Sequence, residues 1–440
     1  MDICERVLQR VGDRAEAEVT VTTGSEALTR FATGFIHQNV ADAVRGIHLR
    51  VAVDGRVSET SGNQTDDASL DRLVQSTLDA AALQPVDPGW PGLAAVANAP
   101  VVDHWDDATA FAEPAERADR VAAFVAASGA LESAGYCSTE GVEIAFANSA
   151  GQRLSGRATA ATMDGIARTA SSDGSARVSS RGLGDLDGDR IGRLAVERAR
   201  SSAEAGDLAP GAYEVILSPD CVMNILFFLA LYGFNGRAVE EGRSFTRLGE
   251  AQFDESLSLA DDVTHPMAAG PAFDAEGTPK RRVDLIRRGV TAGLVHDRRT
   301  GKALGAESTG NAVSGGGTYG AIPANLVLEP GSSSPEQLIG AVERGLLITD
   351  FWYTRILDPR TQVVTGLTRN GVWLVENGRI VRPVANLRFT QSFVEALGPG
   401  AVRGVGSDLT LAGAGTFGIG AYAVPSLHLA TWSFTGNAKG

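Results

Sequence analysis

The sequence predicts an α+β protein in two parts: an N-terminal mixed α/β domain built on an antiparallel sheet over residues 1–208, and a largely β domain over residues 209–440. Three observations carry this. Runs with the two-residue alternation of half-buried strands share the N-terminal part with stretches of helical spacing. Residues 134–182 are rich in Ser, Thr, Gly and Ala with short alternating runs, as a meander of antiparallel strands requires. Beyond residue 280, short strand-like runs are punctuated by turn residues. With 440 residues, 43% hydrophobic and 21% charged, the chain has enough apolar material for two cores.

In chain order, Glu16-Ala-Glu-Val-Thr-Val-Thr22 and Gly46-Ile-His-Leu-Arg-Val-Ala-Val53 alternate as strands do, and Asp54-Gly55 supplies a hairpin turn. Asp66-Asp67 then caps a helix whose apolar positions Leu70, Leu73, Val74 and Leu78 share one face. A second helix fits Pro114 to Ala127, with Ala118, Val121, Phe124 and Val125 on one side. A third is predicted from about Arg190 to Ala205, and Leu208-Ala-Pro-Gly-Ala-Tyr213 reads as a linker. Tyr213 to Leu217 is the next strand, and Ser218-Pro219-Asp220 opens a helix with proline in its first turn. Asn370-Gly371, Asn377-Gly378 and Gly398-Pro399-Gly400 punctuate the C-terminal strands, and Ser314-Gly-Gly-Gly-Thr318 reads as a loop.

Composition and motifs narrow the function. A formal net charge of -14, scattered along the chain, argues against nucleic acid or anionic membrane as a partner. The N-terminus MDICERVLQRVGDRAEAE has no apolar h-region and Ile225 to Tyr232 is too short to span a bilayer, so a cytoplasmic location is expected. Cys4, Cys137 and Cys221 stand far apart without a C-x-x-C pair and read as buried free thiols. No G-x-x-x-x-G-K-[ST] occurs, and the G-x-G-x-x-G runs at Gly315–Gly320 and Gly413–Gly418 lead into proline-containing stretches instead of the helix a phosphate needs. Asp185-Leu-Asp187-Gly-Asp189 has its glycine too early for a calcium loop and reads as a solvated turn. No G-x-S-x-G elbow is present. The six histidines are His37, His48, His104, His265, His296 and His428, and none forms a helical ligand pair. His48 and His428 read as strand residues, while His265 and His296 remain candidate polar site residues.

The run from Phe273 to Val295, FDAEGTPKRRVDLIRRGVTAGLV, is similar to the TldD/PmbA signature in which D-x-E-G precedes an I-x-x-G-x-L hairpin, with Thr291 in place of that pattern's leucine. Arg299 to Leu304 corresponds to that family's short helical step, and Ser308-Thr-Gly-Asn311 resembles its S/P-T-G-[HN] element. Gly366 to Gly378, followed by Ile380-Val-Arg-Pro-Val384, matches its strand, E-N-G turn and I-x-x-P-V strand. Val405-Gly-Ser-Asp-Leu409 resembles its V-G-N-D element. The likeness covers most of residues 210–430 in the right order and points to the PmbA (TldE)-like branch of this peptide-processing family.

In the TldD branch the domain opens with a helix carrying H-E-x-x-x-H, and a cysteine in a later G-T-C-G element completes a zinc site. Here Phe227-Phe-Leu-Ala-Leu-Tyr232 occupies the first place, so Phe227, Phe228 and Tyr232 stand for His, Glu and His. Gly415-Thr-Phe-Gly418 occupies the second, with Phe417 for the cysteine. Zinc takes nitrogen, sulfur or carboxylate oxygen, which these side chains do not offer. The resemblance therefore implies a chain with no catalytic residue and no metal or cofactor of its own. It would be the non-catalytic subunit of a heterodimer, with zinc in a TldD-like partner and short or unfolded peptides cleaved in a shared chamber. A metallopeptidase with a rearranged site and a stand-alone homodimeric peptide-binding scaffold are the alternatives. Because the family's motifs concentrate there, Glu276, Gly277, Thr309, Gly310 and Asn311 are the candidate peptide or partner contacts, with turn formation as the competing role. The helix through Phe227 is apolar nearly all round and is expected to be buried.

Overall fold

Helix α1 (Asp2–Val11) leads into two strands much longer than their alternating stretches, β1 (Glu16–Ala32) and β2 (Phe35–Val53), paired antiparallel around Thr33-Gly34. The computed structural model describes residues 1–412 and 421–437. Asp54 and Gly55, with φ of 49° and 75°, close the next hairpin onto β3 (Arg56–Gly62), as the sequence predicts. The Asp66 side chain accepts from the Ser69 amide to start α2 (Asp67–Leu83). Residues 84–106 then run without helix or strand as a strap to the single turn α3 (Asp107–Ala110). Glu113 and Glu116 form a capping box at α4 (Pro114–Ser128).

The meander follows as β4 (Glu132–Asn148), β5 (Arg153–Arg168) and β6 (Asp173–Ser180), giving a six-stranded antiparallel sheet in the order β3-β2-β1-β4-β5-β6. Asp187 accepts from the Arg190 amide and starts α5 (Gly188–Ser201), so the Asp185–Asp189 run is a helix entry. This helix stops at Ser201 and does not continue to Ala205. Glu204 takes φ 55° and Gly206 pairs with Val384, which pulls the chain away from the helix axis.

The helices pack on the sheet in two groups. Cys4, Val7, Leu70 and Val74 of α1 and α2 bury against Val19, Leu49 and Val51, while Phe124, Ile191 and Ala195 of α4 and α5 bury against Phe31, Cys137 and Met163. The three cysteines are free and buried. Helix α5 lies so close to β6 that a Cβ on Gly174 would stand 2.1 Å from Ala199 N and 2.2 Å from Ala195 O.

The C-terminal part begins with β7 (Gly211–Leu217), α6 (Pro219–Tyr232), α7 (Gly236–Glu240), β8 (Leu259–Asp261), β9 (Val283–Arg287), β10 (Val290–Thr291), α8 (Arg298–Leu304) and β11 (Asn325–Leu328). It continues with α9 (Pro335–Gly340), β12 (Arg344–Ile348), β13 (Phe351–Asp358), β14 (Val363–Thr368), β15 (Val372–Glu376), β16 (Arg379–Pro383) and β17 (Leu387–Ser392). Last come α10 (Phe393–Ala396), β18 (Val402–Val405), β19 (Thr410–Ala412), β20 (Ala421–Val424) and β21 (Leu427–Asn437). Among the described residues these strands form two mostly antiparallel sheets, β10-β9-β8-β11-β20-β19 and β13-β14-β17-β21-β7-β12-β15-β16, with β18 beside β21. Helix α6 packs against β7 and β13 of one sheet and β19 and β20 of the other. Trp432, fully buried, stacks on Phe351 at 5.2 Å and touches Phe389 and Phe393, closing the core beneath the helix. No helix among the described residues is long and apolar enough to cross a membrane.

Because any side chain at residue 174 must displace the α5 backbone, Gly174→Val is expected to destabilise the chain by about 3 kcal/mol, read as a lowered urea midpoint. An unchanged midpoint would contradict the close helix–strand contact.

Candidate functional site

Helix α6 starts at Ser218 with Pro219 in its first turn and ends at Gly233, whose amide bonds to the Leu229 carbonyl. Its buried face is Cys221, Val222, Ile225, Leu226, Phe228, Leu229 and Ala230. The expectation of complete burial needs correction: Met223, Asn224, Phe227, Leu231 and Tyr232 are only partly buried. Spacings of three and four residues put Met223, Asn224, Phe227 and Leu231 on one stripe. The two sheets cover the opposite faces and leave this one partly open.

Phe228 is the anchor of the aromatic group. Its ring meets Phe227 edge-on at 5.6 Å, stacks with Tyr232 at 6.1 Å and 17°, and meets Phe393 edge-on at 5.9 Å. Burial raises the Tyr232 hydroxyl pKa, and Tyr319 adds to the rise. One turn back from Phe227, Asn224 donates Nδ2 to the Thr354 hydroxyl at 3.2 Å, tying the stripe to β13. There Trp352 and Tyr353 both stand exposed, because the β13 register shifts after Trp352 and Tyr353 takes φ 55°. Arg369 lies over Trp352 at 4.3 Å and Arg355 over Tyr353 at 5.2 Å.

Phe227, Phe228 and Tyr232 thus share one end of α6, and Phe417 lies outside the described residues. Their donor set does not fit zinc: two benzyl rings and a high-pKa phenol provide no imidazole, thiolate or carboxylate. Among the described residues no group of three His, Cys, Asp or Glu is placed to hold a metal ion. The histidines are scattered. His428 pairs with Glu214 at 2.8 Å, His104 Nδ1 meets the Gly270 carbonyl, His48 meets Ser61, and His37 lies exposed on β2. Neither candidate polar histidine reaches the α6 stripe through a hydrogen bond: His265 Nδ1 accepts from the Met267 amide, and the buried His296 packs against Gly236.

The five candidate contact residues lie elsewhere and are engaged with the protein itself. Glu276 is buried, paired with Arg50 at 3.4 Å and bonded to the Arg298 amide at the start of α8. Gly277 has φ 71°, accepts at its carbonyl from Gln152 Nε2 at 3.1 Å, and would drive a Cβ to 2.0 Å from the Phe146 ring. Thr309 and Asn311 are buried, with Thr309 Oγ1 bonded to Asn311 Oδ1 and Asn311 Nδ2 to Asp261 at 2.6 Å. Gly310, at φ 78°, sits against the Pro279 carbonyl and Lys280 backbone. Sequence reasoning missed the partner of this cluster: Arg50 also pairs with the buried Glu18 at 3.1 Å, one guanidinium serving two carboxylates. A glutamate inside an alternating strand, opposite an arginine on the next, was the available signal.

Comparison with known proteins places these features. Residues 210–436 match the model described as the PmbA/TldA metallopeptidase C-terminal domain, and residues 17–98 match PmbA/TldA metallopeptidase domain 1. A metalloprotease of Methanothermobacter thermautotrophicus is 26% identical over 247 residues, 54% of this chain and 52% of the relative. The metalloprotease TldD homolog of Buchnera aphidicola is 25% identical over 230 residues, 51% of this chain and 46% of the relative. The chain spans about half the length of the curated relatives it matches. The fold is also that of TldE from Thermococcus kodakarensis, with a TM-score of 0.88 over 99% of each chain at 19% identity. Fold and matches together define a metallopeptidase-class scaffold. The chain belongs to the PmbA/TldD family.

Burial pushes the Glu18 carboxyl up to about 8 and the Asp274 carboxyl up to about 7, the latter helped by the neighbouring Glu276 charge. The folded chain then holds protons that an unfolded carboxyl releases near pH 4 to 4.5, so stability falls as pH rises from about 5 to about 8. Glu18→Gln, which cannot ionise, is expected to flatten the fall in melting temperature across that range. A slope identical to the parent's would remove Glu18 from the pH response.

Proposed function

We propose that this chain is the non-catalytic, TldE-like half of a cytoplasmic TldD-type zinc peptidase, paired with a TldD-like catalytic subunit and walling the chamber that receives short or unfolded peptides. The observation that carries the proposal is the aromatic group at the end of α6, Phe227, Phe228 and Tyr232, which the family resemblance sets against His, Glu and His. Zinc belongs to the partner in this reading, and no step of cleavage is assigned to this chain's residues. Their part is to bind and to shelter. A partly open apolar stripe beside an exposed aromatic pair offers contact without sequence preference, and excluding water strengthens polar contacts within a closed chamber.

The purified, untagged chain, loaded with zinc and exhaustively dialysed, is expected to retain almost none. About one tightly held zinc per chain would overturn the proposal in favour of a rearranged metallopeptidase site. Co-expression with a family member carrying H-E-x-x-x-H is expected to give a mixed complex, whereas a stable symmetric dimer that ignores such a chain would favour the homodimeric scaffold.

A further inference from the structure

Beyond the α6 stripe, a cavity of about 230 Å³ opens where the first turn of α6 meets β5, β6, α5 and the start of β13. Its charged walls are unevenly satisfied. Arg177 is taken by Asp164, through Nε at 2.8 Å and Nη2 at 2.6 Å. Arg198 gives Nη1 to the Ser175 carbonyl at 2.7 Å. Arg369 is laid over the Trp352 ring. Asp220, in the first turn of α6, and Asp350, just before β13, remain, and among the described residues neither makes an ion pair within 4 Å. The adjoining Phe351 amide favours the ionised form of Asp350, and Asp220 gains no such help from a backbone amide. Two carboxylates therefore line an open space, under a half-exposed tryptophan, without a direct ion pair, while Arg177 and Arg198 act on them from farther off.

The geometry points to this cavity as a binding site for a primary ammonium group, held between Asp220 and Asp350 with its hydrocarbon stem against Trp352. A compact ammonium offers three donors and a full charge to two carboxylates, which a water molecule does not match. The described carboxylates, including Asp164, do not form a group placed to hold a metal ion. Arg198 gives one of its five donors to the Ser175 carbonyl, and its charge acts on both Asp220 and Asp350 at the cavity wall. Burial, with the Asp220 charge adding to it, pushes Asp350 up to about 7, and burial raises Asp220, in both cases against the pull of nearby arginines.

The assignment deepens the peptide-chamber reading and rests on it for the source of the ammonium, which is a peptide N-terminus or a lysine side chain. Along α6, Asp220 and Phe227 are separated by about 10 Å, close to the span of about three extended residues. A peptide anchored by its N-terminus would lay its third or fourth residue beside Phe227.

The test is calorimetric titration of the full-length chain, without partner or added metal, with tetra-alanine amide, its N-acetyl form, and an N-acetylated peptide bearing one lysine. The free amine is expected to bind about tenfold or more tighter than the acetylated peptide, and Asp350→Asn and Asp220→Asn to erase that preference. If the acetylated lysine peptide also binds tightly, the side chain is a source of the ammonium. If Asp220→Asn fails to fold, Asp350→Asn and Trp352→Ala, checked by circular dichroism, carry the test. Equal affinity for free and acetylated peptides, no binding of either, or a preference that survives both substitutions would overturn the site. Each of those results leaves zinc retention and complex formation to be read separately, so the two proposals fail independently.

Discussion

The turn from Asp274 to Thr278 is the constraint on which the arrangement of the two halves depends. Asp274 gathers the amides of Glu276, Thr278 and Ala312, which fixes the turn, and Gly277 then passes flat against the Phe146 ring of the N-terminal sheet. Only a residue without Cβ, at positive φ, permits that approach. Once the turn is seated, Glu276 reaches Arg50 on β2 and caps α8, and α8 in turn holds the strap through Arg298 on the Pro91 and Leu93 carbonyls. Sheet, strap and C-terminal core are thereby locked by contacts more than a hundred residues apart in sequence. The D-x-E-G signature is explained by this seating without any ligand.

The same reasoning separates what α6 does for the fold from what it leaves available. Burying Phe228 contributes roughly 1.5–3 kcal/mol, and its contacts with Tyr232 and Phe393 add the geometry of a packed aromatic group. Histidines and a glutamate at these places need a metal, or hydrogen-bond partners, to tolerate the same surroundings. Aromatic residues need neither. The helix is thus held by its own packing, and its remaining stripe is tied through Asn224 to Thr354, the residue that follows the exposed Trp352–Tyr353 pair.

Local signals made much of the fold legible. Asp54-Gly55, the Asp66 cap, the proline start of α6 and the strand meander each follow from the chemistry of a few neighbouring residues. What stayed hidden depends on distant partners. The far halves of β1 and β2 show no burial alternation because much of both faces is exposed, so their length comes from pairing alone. The end of α5 is decided by the Gly206–Val384 bridge, and the partial exposure of Phe227 by which faces the two sheets cover. At the site, motif position directed attention to Phe227, Phe228 and Tyr232, but nothing local announced that Asp220 and Asp350, 130 residues apart, share a cavity.

The polar interior of the C-terminal part is organised by two buried carboxylates, Asp261 and Asp274. Asp261 accepts from the Ala324 and Asn325 amides and from Asn311, and Asp274 from three amides of its own turn and the next loop. Lys280 lies between them, its pKa lowered by burial and partly restored by both carboxylates. Burying carboxylates of this kind is costly: burial raises both pKa values, and the backbone amides pull the other way. Since those amides come from loops 274–278, 312 and 324–325, the two carboxylates tie together loops that are far apart in sequence.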